Sequence, residues 1–153
     1  MDATTGIHQD APVVGAAEID IDAAPEVVWG ALTDFGRWPD WNPDVKSISG
    51  PAAVAEGSEF RWRAGPATIP STIRRVEPPG LIAWTGKTLG INAIHYWWLE
   101  PRDGTTFVRT AESYDGLVAR LFRRRLQRAL DDALANGLRY LKAEAERGGG
   151  DQR

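Results

Sequence analysis

The segment that most constrains this chain is its last long stretch, from about Leu117 to Glu146. Phe122, Leu126, Leu130, Ala133, Leu134, Gly137, Leu138 and Leu141 recur there at three- and four-residue spacing. That period predicts one amphipathic helix of roughly 28 residues, about 40 Å long at 1.5 Å per residue. An apolar stripe of this length needs a surface of matching length. A chain of 153 residues is the size of one domain, so the residues ahead of the helix must build that surface.

Those residues read mainly as strands. Val13 to Asp22 alternates with a period of two. The pattern then changes: Pro25 suits a first helical turn, Glu26 favours the positive end of the helix dipole, and Val28, Trp29 and Leu32 share a face. Pro39 and Pro43 interrupt the next segment, predicting a short helical turn at Gly36 to Asp40 and then a strand over Asp44 to Ser49. Strands are expected at Ser58 to Ala64, Thr68 to Val76 and Leu81 to Thr85, separated by the turn signals "AGPA" and "EPPG". Ile91 to Glu100 and Thr105 to Tyr114 flank "PRDG" as a hairpin. If Glu100 faces Thr105, His95 faces Thr110 and Glu112 lies one step further along the same face. The predicted order is one strand, two short helices, six strands and one long helix, an α+β domain over 13–147. Residues 1–12 and 148–153 are small and polar, and are expected to be a flexible leader and tail.

Composition narrows the chemistry. Cysteine is absent and there are two histidines, His8 and His95. Disulfides and thiolate sites are therefore excluded, and no metal site is expected. The net charge of −3 makes no overall case for nucleic acid. No run approaches a membrane span, and no basic-then-apolar signal opens the chain, so a cytoplasmic location is expected. No motif points to a bound cofactor, and no pattern assigns an oligomeric state.

Seven tryptophans stand out: Trp29, Trp38, Trp41, Trp62, Trp84, Trp97 and Trp98. Trp29 and Trp41 are expected to pack in the core. Trp62, Trp84 and Trp97 sit where a sheet face supplies either core or cavity wall. Trp97 shares a face with His95 and Leu99, Trp98 the opposite one with Tyr96, and periodicity does not say which points inwards. His95 is the one side chain on a predicted strand that ordinarily titrates near neutrality, and Glu112 and Tyr114 share its hairpin. Two readings are open. In one, His95 and Glu112 are a satisfied polar pair. In the other they steer a proton in an aldol-type cyclisation or dehydration, with Tyr114 or Arg109 holding an oxygen.

Arg120, Arg123, Arg124, Arg125 and Arg128 crowd the start of the long helix, where positive charge opposes the dipole. They form either a solvated face offset by Asp115, Asp131 and Asp132, or a contact for an anionic ligand or membrane surface, carried by Arg120, Arg123 and Arg124. Gly137 inside the helix costs about 1 kcal/mol relative to Ala. Close approach to the sheet would explain it, as would room left for a ligand.

The element order, together with "IDAAPEVVWGALTDFGRWPDWNPDV", "LIAWTG" and "HYWWLEPRDGTTFVRTAESYDGL", resembles the START-related polyketide cyclase/dehydrase (SRPBCC) superfamily over most of residues 14–145. The resemblance implies a helix-grip fold, in which a curved antiparallel sheet of about seven strands wraps a long C-terminal helix. It also implies a cavity for a hydrophobic small molecule between them. Trp38, Trp62, Trp84, His95, Trp97, Glu112 and Tyr114 are the expected ligand contacts, with Trp41 inside and Trp38 nearer the mouth. A polyketide aromatase/cyclase using His95 and Glu112 is the alternative, and an interaction module using the arginine-rich helix start is a third.

Overall fold

The computed structural model describes residues 6–150. One antiparallel sheet of seven strands runs in the order β1-β7-β6-β5-β4-β3-β2. Its strands are β1 (Val13–Ile21), β2 (Val45–Ser49), β3 (Glu59–Ala64), β4 (Ala67–Glu77), β5 (Leu81–Thr88), β6 (Ile91–Arg102) and β7 (Thr105–Asp115). Between β1 and β2 lie α1 (Pro25–Thr33), a 3-10 turn at Phe35–Arg37, and α2 (Trp38–Trp41). After β7 come α3 (Leu117–Leu121) and α4 (Arg123–Gly150). The inner face of the sheet grips α4 through Leu130, Leu134, Leu138, Leu141 and Ala145, all buried, and this is the helix-grip fold.

The helix seats unevenly. On β1 a Cβ added to Gly15 would lie 3.1 Å from Leu130 and Leu134, so the missing side chain lets α4 approach that edge. Over β6, a Cβ added to Gly137 would meet nothing nearer than the tip of Trp97 at 4.0 Å. Close approach to the sheet therefore does not explain Gly137, which has open space beside it.

Four details depart from the sequence expectations. The predicted single helix breaks at Phe122, and the stripe loses its first member: Phe122 is 53% exposed. The β6–β7 turn contains only Asp103 and Gly104, both at positive φ (48° and 87°). Such a two-residue turn matches the strand twist and lets both strands run further. Glu100 consequently faces Phe107, and His95 faces Glu112 rather than Thr110. The slip is by two, so every side chain keeps its predicted face.

The other two departures concern the ends. Residues 1–5 and 151–153, parts of the expected flexible leader and tail, lie outside the described residues, but residues 6–12 are docked. Ile7 and Ala11 are buried, and the His8 backbone N–H donates to Ser113 Oγ at 3.1 Å. Gly6 sits so close to the Tyr96 ring that a Cβ would lie 2.5 Å from it. The leader thus covers part of the outer face of β6 and β7, where Tyr96 stacks on Trp98 at 5.2 Å. At the other end α4 continues through 148–150. No helix among the described residues is long and apolar enough to cross a membrane.

Candidate ligand-binding site

Side-chain size tapers along the inner face. Toward one end it carries Phe60, Ile73, Ile82, Trp84, Trp97 and Leu99, all buried. Toward the other, where the β3–β4 and β5–β6 turns lie, the inward positions hold Ala64, Ala67, Gly86 and Ala93, and α4 adds Ala133 and Gly137. Large residues fill the first end and small ones leave the second hollow. The result is a cavity of about 310 Å³ between sheet and α4, with a predominantly apolar wall. Trp38, Trp62, Trp84, His95, Trp97, Glu112 and Tyr114 all border it.

The closed end is an aromatic cluster. Phe35 lies 4.6 Å from Trp38, Trp38 meets Trp62 edge-on at 5.9 Å, and Phe60 meets Trp84 edge-on at 5.8 Å. These are the geometries that ring quadrupoles prefer. Trp38 is only 5% exposed and its indole N–H donates to the Leu32 carbonyl at 2.9 Å, whereas Trp41 is half-buried at the rim. The expected placement of these two tryptophans is therefore reversed. The 3-10 turn after α1 swings Trp38 back beneath Leu32, so Trp38 becomes the plug.

The β6–β7 wall is polar. Trp97, not Trp98, faces inwards beside His95, with ring centroids 5.2 Å apart, and Trp84 lies 5.1 Å from His95 on its other side. Glu112 sits directly across the strand pair, with Oε1 3.5 Å from His95 Nδ1. Burial pushes His95 down to about 3, because the imidazolium would lose its hydration. Burial pushes Glu112 up to about 8 for the same reason acting on a carboxylate. The negative charge of ionised Glu112, and then burial, hold the Tyr114 phenol well above its usual value. At neutral pH the wall therefore carries an uncharged ring and a protonated carboxyl group.

Thr110 sets the tautomer. Its hydroxyl donates to the Tyr96 carbonyl at 3.0 Å, so only lone pairs remain for His95 Nε2, 2.7 Å away. Nε2 must then carry the ring proton and donate to Thr110. Nδ1 turns its lone pair toward the Glu112 acid, 3.5 Å away. Nearby, the buried Trp97 indole N–H has no partner among the described residues.

The arginines predicted to contact an anion lie elsewhere. Arg120, Arg123 and Arg124 are exposed around the α3–α4 junction, and Arg123 donates to the Pro12 carbonyl at 2.8 Å, tying the leader down. Among the described residues no group of three or more His, Asp or Glu side chains is arranged to hold a metal ion. Sequence reasoning missed the small residues that create the void. The fall in size at alternate residues along β5 (Trp84, Gly86) and back along β6 (Trp97, His95, Ala93) was the signal available.

A sheet wrapped on a long C-terminal helix, with a part-polar cavity between them, defines the START/SRPBCC class. Residues 13–146 match the family described as polyketide cyclase / dehydrase and lipid transport, and the chain belongs to that family. Among solved structures, a hypothetical protein of Helicobacter pylori is similar at TM-score 0.79 and 16% identity, covering 95% of this chain and 99% of that one. A START superfamily protein of Mycobacterium smegmatis is similar at TM-score 0.76 and 12% identity, with 88% and 97% covered. The Zhui aromatase/cyclase of Streptomyces sp. R1128 is similar at TM-score 0.75 and 16% identity, with 88% and 93% covered. At these identities the likeness is one of fold. No curated protein matches the chain in sequence.

Proposed function

We propose that this protein binds a small hydrophobic molecule in the cavity between the sheet and α4, its apolar body in the hollow end and a hydrogen-bonding group against the β6–β7 wall. The observation that carries this reading is an apolar hollow bordered by a polar wall in which the buried Trp97 N–H has no partner among the described residues. An unpaired buried donor such as the Trp97 N–H costs about 1–3 kcal/mol, which a ligand acceptor would recover. A protonated Glu112 favours a neutral ligand over an anion. The volume of about 310 Å³ lies at the low end of the range for small-molecule pockets.

The test is native followed by denaturing mass spectrometry of freshly purified protein, with titration of the neutral dye Nile red as the probe of an empty cavity. An adduct lost on denaturation, or dye binding that Gly137→Phe abolishes while the circular dichroism spectrum is kept, is the expected result. Dye binding unchanged by Gly137→Phe, with no adduct, sinks the proposal.

A second reading, cyclisation or dehydration of a polyketide-like substrate, draws on the acid and base presented together by Glu112 and His95. The magnitudes work against it: a histidine that stays neutral to about pH 3 is a weak proton acceptor at pH 7. The readings separate by replacing His95 with Gln. Lost turnover of a poly-β-ketone with retained affinity would support catalysis, and the absence of turnover in the intact protein would leave the binding reading alone.

A further inference from the structure

The α3–α4 junction combines two features that the cavity reading does not use. Leu117, Leu121 and Phe122 are 68%, 67% and 53% exposed, and Leu89, in the β5–β6 turn, is 70% exposed. Leu89 also has a positive φ of 50°, a turn position that favours Asn, Asp or Gly and that leucine occupies only at some strain. The two segments belong to one surface, because Gly90 packs so closely on Val118 of α3 that a Cβ there would lie 2.8 Å from its methyl group.

Charge surrounds this apolar patch. Arg120, Arg123, Arg124, Arg125 and Arg128 fall within nine residues, and no acid occurs from Leu117 to Leu130, in a chain of net charge −3. Arg123 is committed to the leader. Arg120, Arg124, Arg125 and Arg128 form no ion pair with a described residue, as is also true of Arg61, Arg63, Arg74 and Arg139, but only here do such arginines crowd one short stretch. Of the three acids expected to offset them, Asp115 is engaged with His8 and Asp131 with Gln127, and Asp132 is exposed on α4.

The patch lies at the hollow end of the grip. Thr88 and Ile91, which flank the Leu89 turn, border the cavity. So does Leu126, whose backbone N–H bonds the Phe122 carbonyl at 3.0 Å.

We propose that this junction docks on an anionic lipid bilayer, with Leu89, Leu117, Leu121 and Phe122 entering the interface, Arg120, Arg124 and Arg125 meeting lipid phosphates, and the cavity mouth facing the lipid. Apolar side chains ringed by unpaired cations are the arrangement that holds a short helical segment in the headgroup layer. An exposed patch with no cation ring would not choose a bilayer over a protein partner. The proposal stands whether or not the cavity holds a ligand.

The experiment is sedimentation of the full chain with vesicles of phosphatidylcholine alone, or of phosphatidylcholine with one-third phosphatidylglycerol. Binding to the anionic vesicles only, weakened by added salt, is expected. Arg120→Gln/Arg124→Gln/Arg125→Gln should lower the partition coefficient about tenfold or more, since each arginine contributes a several-fold factor near such a surface. Leu121→Ser/Phe122→Ser should lower it too; both side chains are exposed, so the fold survives and circular dichroism checks it.

Equal partitioning onto the two vesicle types overturns the proposal, as does absence of binding. Anionic-vesicle binding that the Leu121/Phe122 variant leaves unchanged overturns insertion of the patch. A concentration-dependent dimer in light scattering, abolished by Leu121→Asp and accompanied by no vesicle binding, would assign the patch to a second copy of the chain instead.

Discussion

The two ends of the grip are built from opposite materials. At the closed end Trp38, Phe35, Phe60 and Trp84 pack ring against ring in tilted and edge-on pairs, and the Trp38 indole N–H is satisfied by the Leu32 carbonyl. At the hollow end glycines and alanines replace the rings, and along the β6–β7 wall lie an acid and an imidazole, with the unpartnered Trp97 N–H beside them. One end maximises burial. The other gives up that burial and leaves a void bordered by polar groups.

Substitutions at the two ends should therefore move stability in opposite directions. The largest effect is at the closed end. Trp38→Ala removes the centre of the aromatic cluster and should cost about 3–5 kcal/mol, read as a lower urea midpoint with an unchanged slope. A loss under about 1 kcal/mol would mean the plug is not structural.

The next effect is a pH dependence set by the wall. Glu112 titrates at about 8 when folded and near 4.5 when unfolded, so between those values the folded state binds the extra proton and stability falls as pH rises. His95 titrates at about 3 when folded and near 6.5 when unfolded, so stability rises with pH between those values. The two trends oppose each other from pH 4.5 to 6.5 and give a plateau, with a fall on either side. From pH 6.5 to 8 the loss should be about 2 kcal/mol, at about 1.4 kcal/mol per pH unit. Glu112→Gln should flatten that alkaline limb, measured by urea unfolding at several pH values. An alkaline limb that persists in the variant would show that Glu112 ionises normally in the folded protein.

The smallest effect sharpens the contrast most. Gly137→Ala should raise stability by about 1 kcal/mol through helix propensity, because the added methyl meets only the edge of Trp97. It should also weaken dye or ligand binding by shrinking the hollow end. Destabilisation instead would mean that α4 already packs tightly at that point.

Much of this molecule was legible in its residues. Period-two alternation and the Gly and Pro punctuation placed every strand to within a few residues. The 3.6-residue period identified α1 and the body of α4, since both signals are local consequences of backbone geometry. Strand parity put His95, Trp97, Glu112 and Tyr114 on one face, and parity survives a register slip of two. The slip depended on whether "PRDG" closes in four residues or two, a choice made by the twist of the paired strands.

Other features belonged to the tertiary structure alone. Trp38 and Trp41 stand three residues apart in one short Pro-interrupted segment, and only the course of the chain after α1 decides which becomes the plug. Phe122 fits the helical stripe perfectly well, yet the break after Leu121 turns it out to solvent. Ordinary His and Glu values are properties of the side chains, whereas their displacement toward 3 and 8 comes from water excluded by strands and a helix far apart in sequence. Periodicity determined what each residue faces; the tertiary structure decided what it meets there, because burial and distance depend on how far α4 stands off the sheet.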